Sequence, residues 1–510
     1  MSKDADGAKG PEKVKPDESD VGTESTKLNE VGLGDVNSVA KDSGDKESKA
    51  NQKSVPKKAS VTGTAGTNGT ADSESSVAHG SFCLKNKFRH VLMFVALACL
   101  TWINGGVTAF NQVILCVKNE TTSNPPHYEI SKDEEVWLQR AIGIGSLIGT
   151  FPFNYAYSRL GAKYFFGGAG VLSGICCCLT PLAASFGFWP FMVIRLIQGF
   201  LYSADFSMIG LLISKWSPLN RSALYVSLLT GYTPIASVVT FALSGPSCKS
   251  PIGWPIMYYG MGVVTILTFI FWFMYYNDAP IKNKYLSQDE YEILAKGKFK
   301  AEMAERTTVP YVKILSSLTI WTVWLNAFSE IVASFFIYAY IGRFHVNVLK
   351  FDTHTAGYLA AVPPIPFIIL KVAVGYINDR ISCCPERIKM IIFNMVTLTC
   401  SGTCLIMVGF IPPEYRYVTI ATLVIMYICF SFAGGAFYKC AHLAARQYSG
   451  FVIAGVQFLK SICLLAVPTV FSLTLRSEED YPKIEKWRPA FCGLGGLMIA
   501  VSQVGKVVEE

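Results

Sequence analysis

Six charged side chains stand inside long apolar runs of the chain: Arg140, Arg195, Asp205, Glu330, Lys371 and Lys460. A charge in such a place is expensive and calls for a partner or a function. Arg195 carries a planar guanidinium that can grip a carboxylate or phosphate through two parallel hydrogen bonds, and a structural helix-to-helix bond is the competing reading. Lys460 and Glu330 fall near the middle of their runs, where an unpaired charge costs at least about 2.5–3.5 kcal/mol. They are expected to face a cavity or each other, and an ion pair between them stands level with direct contact to a solute. Lys371 and Arg140 lie nearer the ends of their runs, where a snorkelling stem accounts for a charge. Asp205 is placed to take a proton on one side of a membrane and release it on the other, and Glu330 is the second coupling candidate. Tyr202, Tyr338 and Gln457 join Arg195, Glu330 and Lys460 as candidate solute-binding residues. Asn104, Gln112, Gln139 and Asn326 are further polar groups at plausible cavity positions, and each has a plainer reading as interhelical glue.

The elements that position these residues are twelve apolar runs. A bilayer core needs about 20 apolar residues in helical form, because nothing there hydrates an open backbone. The runs fall at 90–116, 135–157, 163–185, 190–214, 221–244, 255–276, 317–342, 355–378, 388–411, 416–438, 449–475 and 488–506, numbered here as segments 1 to 12. Pro234, Pro363, Pro364, Pro366 and Pro468 mark points where helices break or bend. The longest connection between segments, 277–316, splits them six and six, which is the pattern of a duplicated architecture. Ser287 with Glu290 three residues on fits a capping box and predicts a short surface helix in that linker. The expected organisation is a disordered tail over 1–85, a six-helix bundle over 86–276, a linker over 277–316 and a second six-helix bundle over 317–510.

Composition agrees with a membrane protein. The 510 residues are 51% hydrophobic and 16% charged, with mean hydropathy +0.35. The first 80 residues contain no Phe, Trp, Tyr, Ile or Cys and cannot bury a core. The net charge of +8 sits in short stretches between apolar runs, not on a basic face interleaved with aromatics, which argues against nucleic acid. No ATP-binding loop or nucleophile constellation is visible, so no enzyme and no cofactor are expected. Lys and Arg are concentrated in the loops that lie inside if both termini are cytoplasmic. The sequon at Asn119 then falls in the first outer loop and predicts glycosylation there. Most of the 15 cysteines lie in apolar runs and read as free buried thiols, while Cys83, Cys383 and Cys384 flank segments as candidates for lipidation.

Short motifs recur in order along the chain: Arg159-Leu160-Gly161-Ala162-Lys163, Arg195 with Gln198-Gly199, Ser214-Lys215-Trp216-Ser217-Pro218, Gly253-Trp254-Pro255, Gly357-Tyr358-Leu359, Gly375 with Asp379, and Tyr448-Ser449-Gly450. In these the chain resembles the major facilitator superfamily, in its anion–cation symporter branch of sialin, vesicular glutamate transporters and sodium–phosphate cotransporters, over about residues 88–505. The resemblance implies an all-α membrane fold of twelve transmembrane helices in two bundles. It implies secondary active transport of a small organic or inorganic anion by alternating access, with proton or sodium as the coupling ion, membrane lipid as the surroundings and Arg195 near the anion path. Residence is in the plasma membrane or an intracellular vesicle or lysosome. The chain departs from the branch at its charged positions. Tyr202 stands where proton-linked members have glutamate, Ala109 where many have arginine, and Glu330 where glutamate transporters have arginine. An uncoupled uniporter or exchanger, or a non-transporting receptor or sensor on the same fold, are the alternatives.

Overall fold

The computed structural model describes residues 87–118, 130–218, 221–296, 311–381, 385–438, 440 and 449–509. The expected tail, Asn119, Cys83, Cys383 and Cys384 lie outside these. All twelve segments are helical. Among the described residues, ten helices are long and apolar enough to cross a membrane. The other two are segment 2, Lys132–Leu160, and segment 12, Ile484–Glu509, which carry more charge at their ends. Segment 2 opens on Asp133, Glu134 and Glu135, carboxylates that favour a helix N-terminus, and Ser131 caps it by accepting the Glu134 amide at 3.3 Å.

Segments 1 to 6 pack as one bundle and 7 to 12 as the other. Between hydrocarbon-soluble helices the driving force is close contact, so small residues sit where backbones meet. Segments 2 and 4 touch through Gly145 and Gly199. A Cβ on Gly145 would stand 2.1 Å from the Leu196 carbonyl oxygen, and one on Gly199 2.2 Å from that of Ile142. Gly402 and Gly495 do the same for segments 9 and 12.

Several segments are broken. Segment 4 is Phe188–Tyr202 followed by Ala204–Trp216, with Ser203 between. No proline is present there, but the Ser203 hydroxyl donates back to the Phe200 carbonyl at 2.7 Å, a bond that competes with the helix ladder. Segment 5 is Ser222–Leu229 and Tyr232–Lys249. Pro234 has no N–H to offer the carbonyl four residues back, Thr230, and the helix opens there. Segment 8 divides into Thr353–Ala361 and Pro364–Arg380 at the expected proline run. Pro468, by contrast, sits inside the unbroken helix Ser449–Thr474 of segment 11.

Two ends can be distinguished. At the linker end, Gly161 at φ +88° lets the chain turn sharply between segments 2 and 3. The Asp278 carboxylate fills that turn, accepting the amides of Ala162 at 2.6 Å and Lys163 at 3.2 Å. The surface helix forms at Gln288–Ala295 with Ser287 as its cap, accepting the Glu290 amide at 3.3 Å. The Glu290 carboxylate turns to segment 1 and accepts the Arg89 amide at 3.0 Å. At the opposite end, Cys116 of segment 1 and Cys248 of segment 5 form a disulfide. This corrects the reading of the cysteines as free buried thiols, which holds for Cys99, Cys176, Cys177 and Cys463.

Candidate functional site

The break in segment 4 puts Asp205 in the first turn of a new half-helix, where unpaired amide dipoles favour an anion. One carboxylate oxygen accepts the Phe206 amide at 2.6 Å. The other accepts the hydroxyl of Tyr232 at 2.5 Å and is the ion-pair partner of Lys460. Tyr232 opens the second half of segment 5, so two helix breaks converge on one carboxylate. Lys460 comes from segment 11 in the other bundle. Its ammonium lies 3.7 Å from the centre of the Tyr202 ring and donates to the Tyr232 hydroxyl at 3.4 Å. Asp205 and Lys460 are 1% and 0% exposed. Buried charges persist when paired and hydrogen-bonded, and here the pairing spans the seam between bundles. The partner of Lys460 is therefore Asp205 and not Glu330.

Two cavities flank this pair, sharing Thr233, Phe335 and Tyr338 in their walls. The first, of about 570 Å³, is lined by Asn104, Asn111, Gln139, Arg195 and Tyr202 among others. Asn104 Nδ2 and Asn111 Oδ1 have no hydrogen-bond partner among the described residues. Arg195 donates through Nη1 to the Val107 carbonyl at 3.0 Å and to Gln198 Oε1 at 3.2 Å, and through Nε to the Leu138 carbonyl at 3.5 Å. Its guanidinium lies 4.8 Å from the Phe110 ring centre. It thus ties segments 1, 2 and 4 together, while Nη2 makes no protein hydrogen bond among the described residues. The second cavity, of about 420 Å³, is lined by Thr230, Glu330, Ser334, Lys371, Tyr438 and Lys460 among others.

The bundles also meet beyond the cavities. At the disulfide end Arg343 of segment 7 forms a buried ion pair with Glu135 of segment 2, beside the rings of Tyr340, Phe471 and Tyr481. Tyr340 donates to Gln139, Lys132 to the Leu475 carbonyl, and Arg140 to Thr469 at 3.3 Å. At the linker end Asp379 accepts the Leu224 amide at 3.0 Å. Contacts therefore close the seam on both sides of the site.

Of the residues singled out from sequence, Arg195, Tyr202 and Tyr338 line the first cavity, and Glu330, Lys460 and Tyr338 the second. Asp205 lies beneath Lys460. Gln457 is wholly buried, both its amide atoms lack a hydrogen-bond partner among the described residues, and it lines neither cavity. Asn326 is bonded to Asn394 at 3.3 Å and Gln112 to the Tyr338 carbonyl at 3.0 Å, which is the plainer role. Lys371 does not snorkel. It is buried and donates to the Thr230 carbonyl at 3.4 Å, the carbonyl Pro234 leaves open. Tyr232, Asn111 and Tyr438 went unmarked as site residues. Tyr232 and Tyr438 carry no sequence signal beyond lying in apolar runs, and only the breaks bring Tyr232 to Asp205.

Residues 93–468 match the model of the Major Facilitator Superfamily. The chain belongs to that superfamily. Among curated relatives, human sialin is 24% identical over 335 residues, covering 64% of this chain and 66% of sialin. Rat sodium-dependent phosphate transport protein 1 is 24% identical over 389 residues, covering 74% and 81%. A probable small intestine urate exporter of mouse is 23% identical over 381 residues, covering 74% and 76%. Among solved structures, the proton:xylose symporter XylE bound to 6-bromo-6-deoxy-D-glucose superposes with a TM-score of 0.60 at 13% identity, covering 83% of this chain and 94% of that one. The twelve helices in two bundles are thus the major facilitator fold, and the protein is a multi-pass membrane transporter rather than an enzyme.

Proposed function

We propose that the protein is a secondary transporter of a small organic or inorganic anion, working by rocking of the two bundles about the Asp205–Lys460 seam. The observation that carries this reading is the placement of cations along the seam: Arg195 on one cavity and Lys371 and Lys460 on the other. The names of the relatives, which include phosphate transport and urate export, support an anion. The linker divides the chain into the two bundles at 277–316, after a tail over 1–85. The linker end, with both termini, is cytoplasmic. The disulfide at the other end supports this orientation, because such bonds persist in oxidising compartments. Asn119 follows segment 1 at that same end and is the glycosylated residue.

Coupling to a proton is assigned to Asp205 or Glu330, with sodium as the other candidate ion. A second reading, an uncoupled uniporter or exchanger, is favoured by Tyr202, which places an aromatic ring where proton-linked members of the branch have a carboxylate. Uptake of labelled phosphate, urate and small carboxylates into proteoliposomes tests both. Saturable uptake above that of empty vesicles is expected, and an imposed pH or sodium gradient separates coupled from uncoupled transport. Specific binding without uptake would instead mean a receptor on the transporter fold.

A further inference from the structure

The four charges around the second cavity are not equivalent. Asp205 and Lys460 satisfy each other, with Tyr232 as a third member. Glu330 and Lys371 remain. Both are buried, both line the cavity, and no ion pair within 4.0 Å joins them to each other or to any other described group. Glu330 has one long bond, accepting the Tyr438 hydroxyl at 3.4 Å on Oε2. Among the described residues Lys371 has one long bond, to the Thr230 carbonyl at 3.4 Å, and its ammonium lies 5.0 Å from the centre of the Phe367 ring. Glu330 and Lys371 attract each other without closing an ion pair, so each keeps hydrogen-bonding capacity that a solute in the cavity can use.

From this placement we propose that the cavity is a two-charge subsite for a dipolar solute, an amino-carboxylate whose carboxylate meets Lys371 and whose ammonium meets Glu330. The proposal rests on the transporter reading and replaces the simple anion, as the occupant of this cavity, with a zwitterion. A simple anion would neutralise Lys371 and set its own charge against Glu330, and a simple amine would do the reverse. A solute carrying both signs gives each of the two charges a contact partner without leaving a net charge in the cavity. The hydroxyls of Thr230, Ser334 and Tyr438 can take its remaining hydrogen bonds, and Phe206 and Phe367 offer apolar wall to its carbon skeleton. A site built to bond a charged group rejects the analogue that lacks it far more strongly than one differing by a methylene.

The probes are the ω-amino acids from glycine to 6-aminohexanoate, each set against the carboxylate and the amine of equal chain length. Binding is read as thermal stabilisation of the purified full-length protein, and uptake is measured in parallel in proteoliposomes. At least one amino acid is expected to bind about tenfold or more tightly than both of its matched analogues. Glu330→Gln is expected to remove that preference and leave the matched carboxylate as good a ligand as the amino acid, while Lys371→Gln weakens both. The inference is overturned if every carboxylate binds as well as its amino acid, if no member of the series binds, or if Glu330→Gln keeps the preference. The wild-type series decides the question even where a variant does not fold. Uptake of a simple anion with no binding of any amino acid sinks this inference and leaves the transporter reading standing. Binding of an amino acid with no uptake of any solute does the opposite.

Discussion

Asp205 and Lys460 show what a pair of buried charges demands of its surroundings. Removing one partner leaves the other charged and unpaired in the seam, a change worth about 3–5 kcal/mol, whereas removing both is far milder. Asp205→Asn alone is therefore expected to lower the melting midpoint sharply, and Asp205→Asn with Lys460→Met to recover most of the loss. A double variant as unstable as the two single effects summed would show that the charges do not act as a pair. Arg195 holds carbonyls on segments 1 and 2 and Gln198 on its own helix, each such bond from a charged donor being worth about 1.5–3 kcal/mol. Arg195→Lys keeps the charge but loses the fork, so both folded yield and uptake per folded molecule are expected to fall. Gel filtration separates the two, and unchanged uptake per folded molecule would mean that Nη2 never meets the solute. All six intramembrane charges were legible in the sequence, because each interrupts an apolar run. Their partners were not: the Asp205–Lys460 pair joins residues 255 positions apart, and nothing in either run encodes the other.

At the scale of elements, segment lengths followed directly from apolar runs, and the break in segment 8 followed from its prolines. The break at Ser203 did not, since a serine bonding back to Phe200 leaves no more mark on a sequence than a serine facing a neighbour. It nevertheless sets the whole site, because it starts the half-helix that carries Asp205. The Cys116–Cys248 bridge was equally hidden. Its cysteines are 132 residues apart, Cys116 at the end of one apolar run and Cys248 just beyond another, where a thiol packs as well as any small apolar group. A bridge of this kind contributes about 2–4 kcal/mol. Cys116→Ser and Cys248→Ser are each expected to lower the melting midpoint, and a reductant to lower that of the wild type but not of the double variant. Equal melting of the wild type, with and without reductant, and of all the variants would argue that the bridge is absent in the membrane.

For the whole molecule, the twelve segments were legible in the sequence, because apolar runs of membrane-spanning length are a global pattern that does not depend on any one residue. Orientation makes a prediction of its own. Asn119→Gln should abolish a glycosidase-sensitive mass shift in cells, and persistence of the shift would place another sequon outside and reverse the orientation. Alternating access is the central claim, and counterflow tests it most directly. In proteoliposomes containing the full chain, entry of a labelled anion is expected to accelerate when the vesicles are loaded with the same anion unlabelled, since a loaded carrier returns faster than an empty one. Saturable entry that loading leaves unchanged, or no entry of any anion by folded protein, would contradict the account.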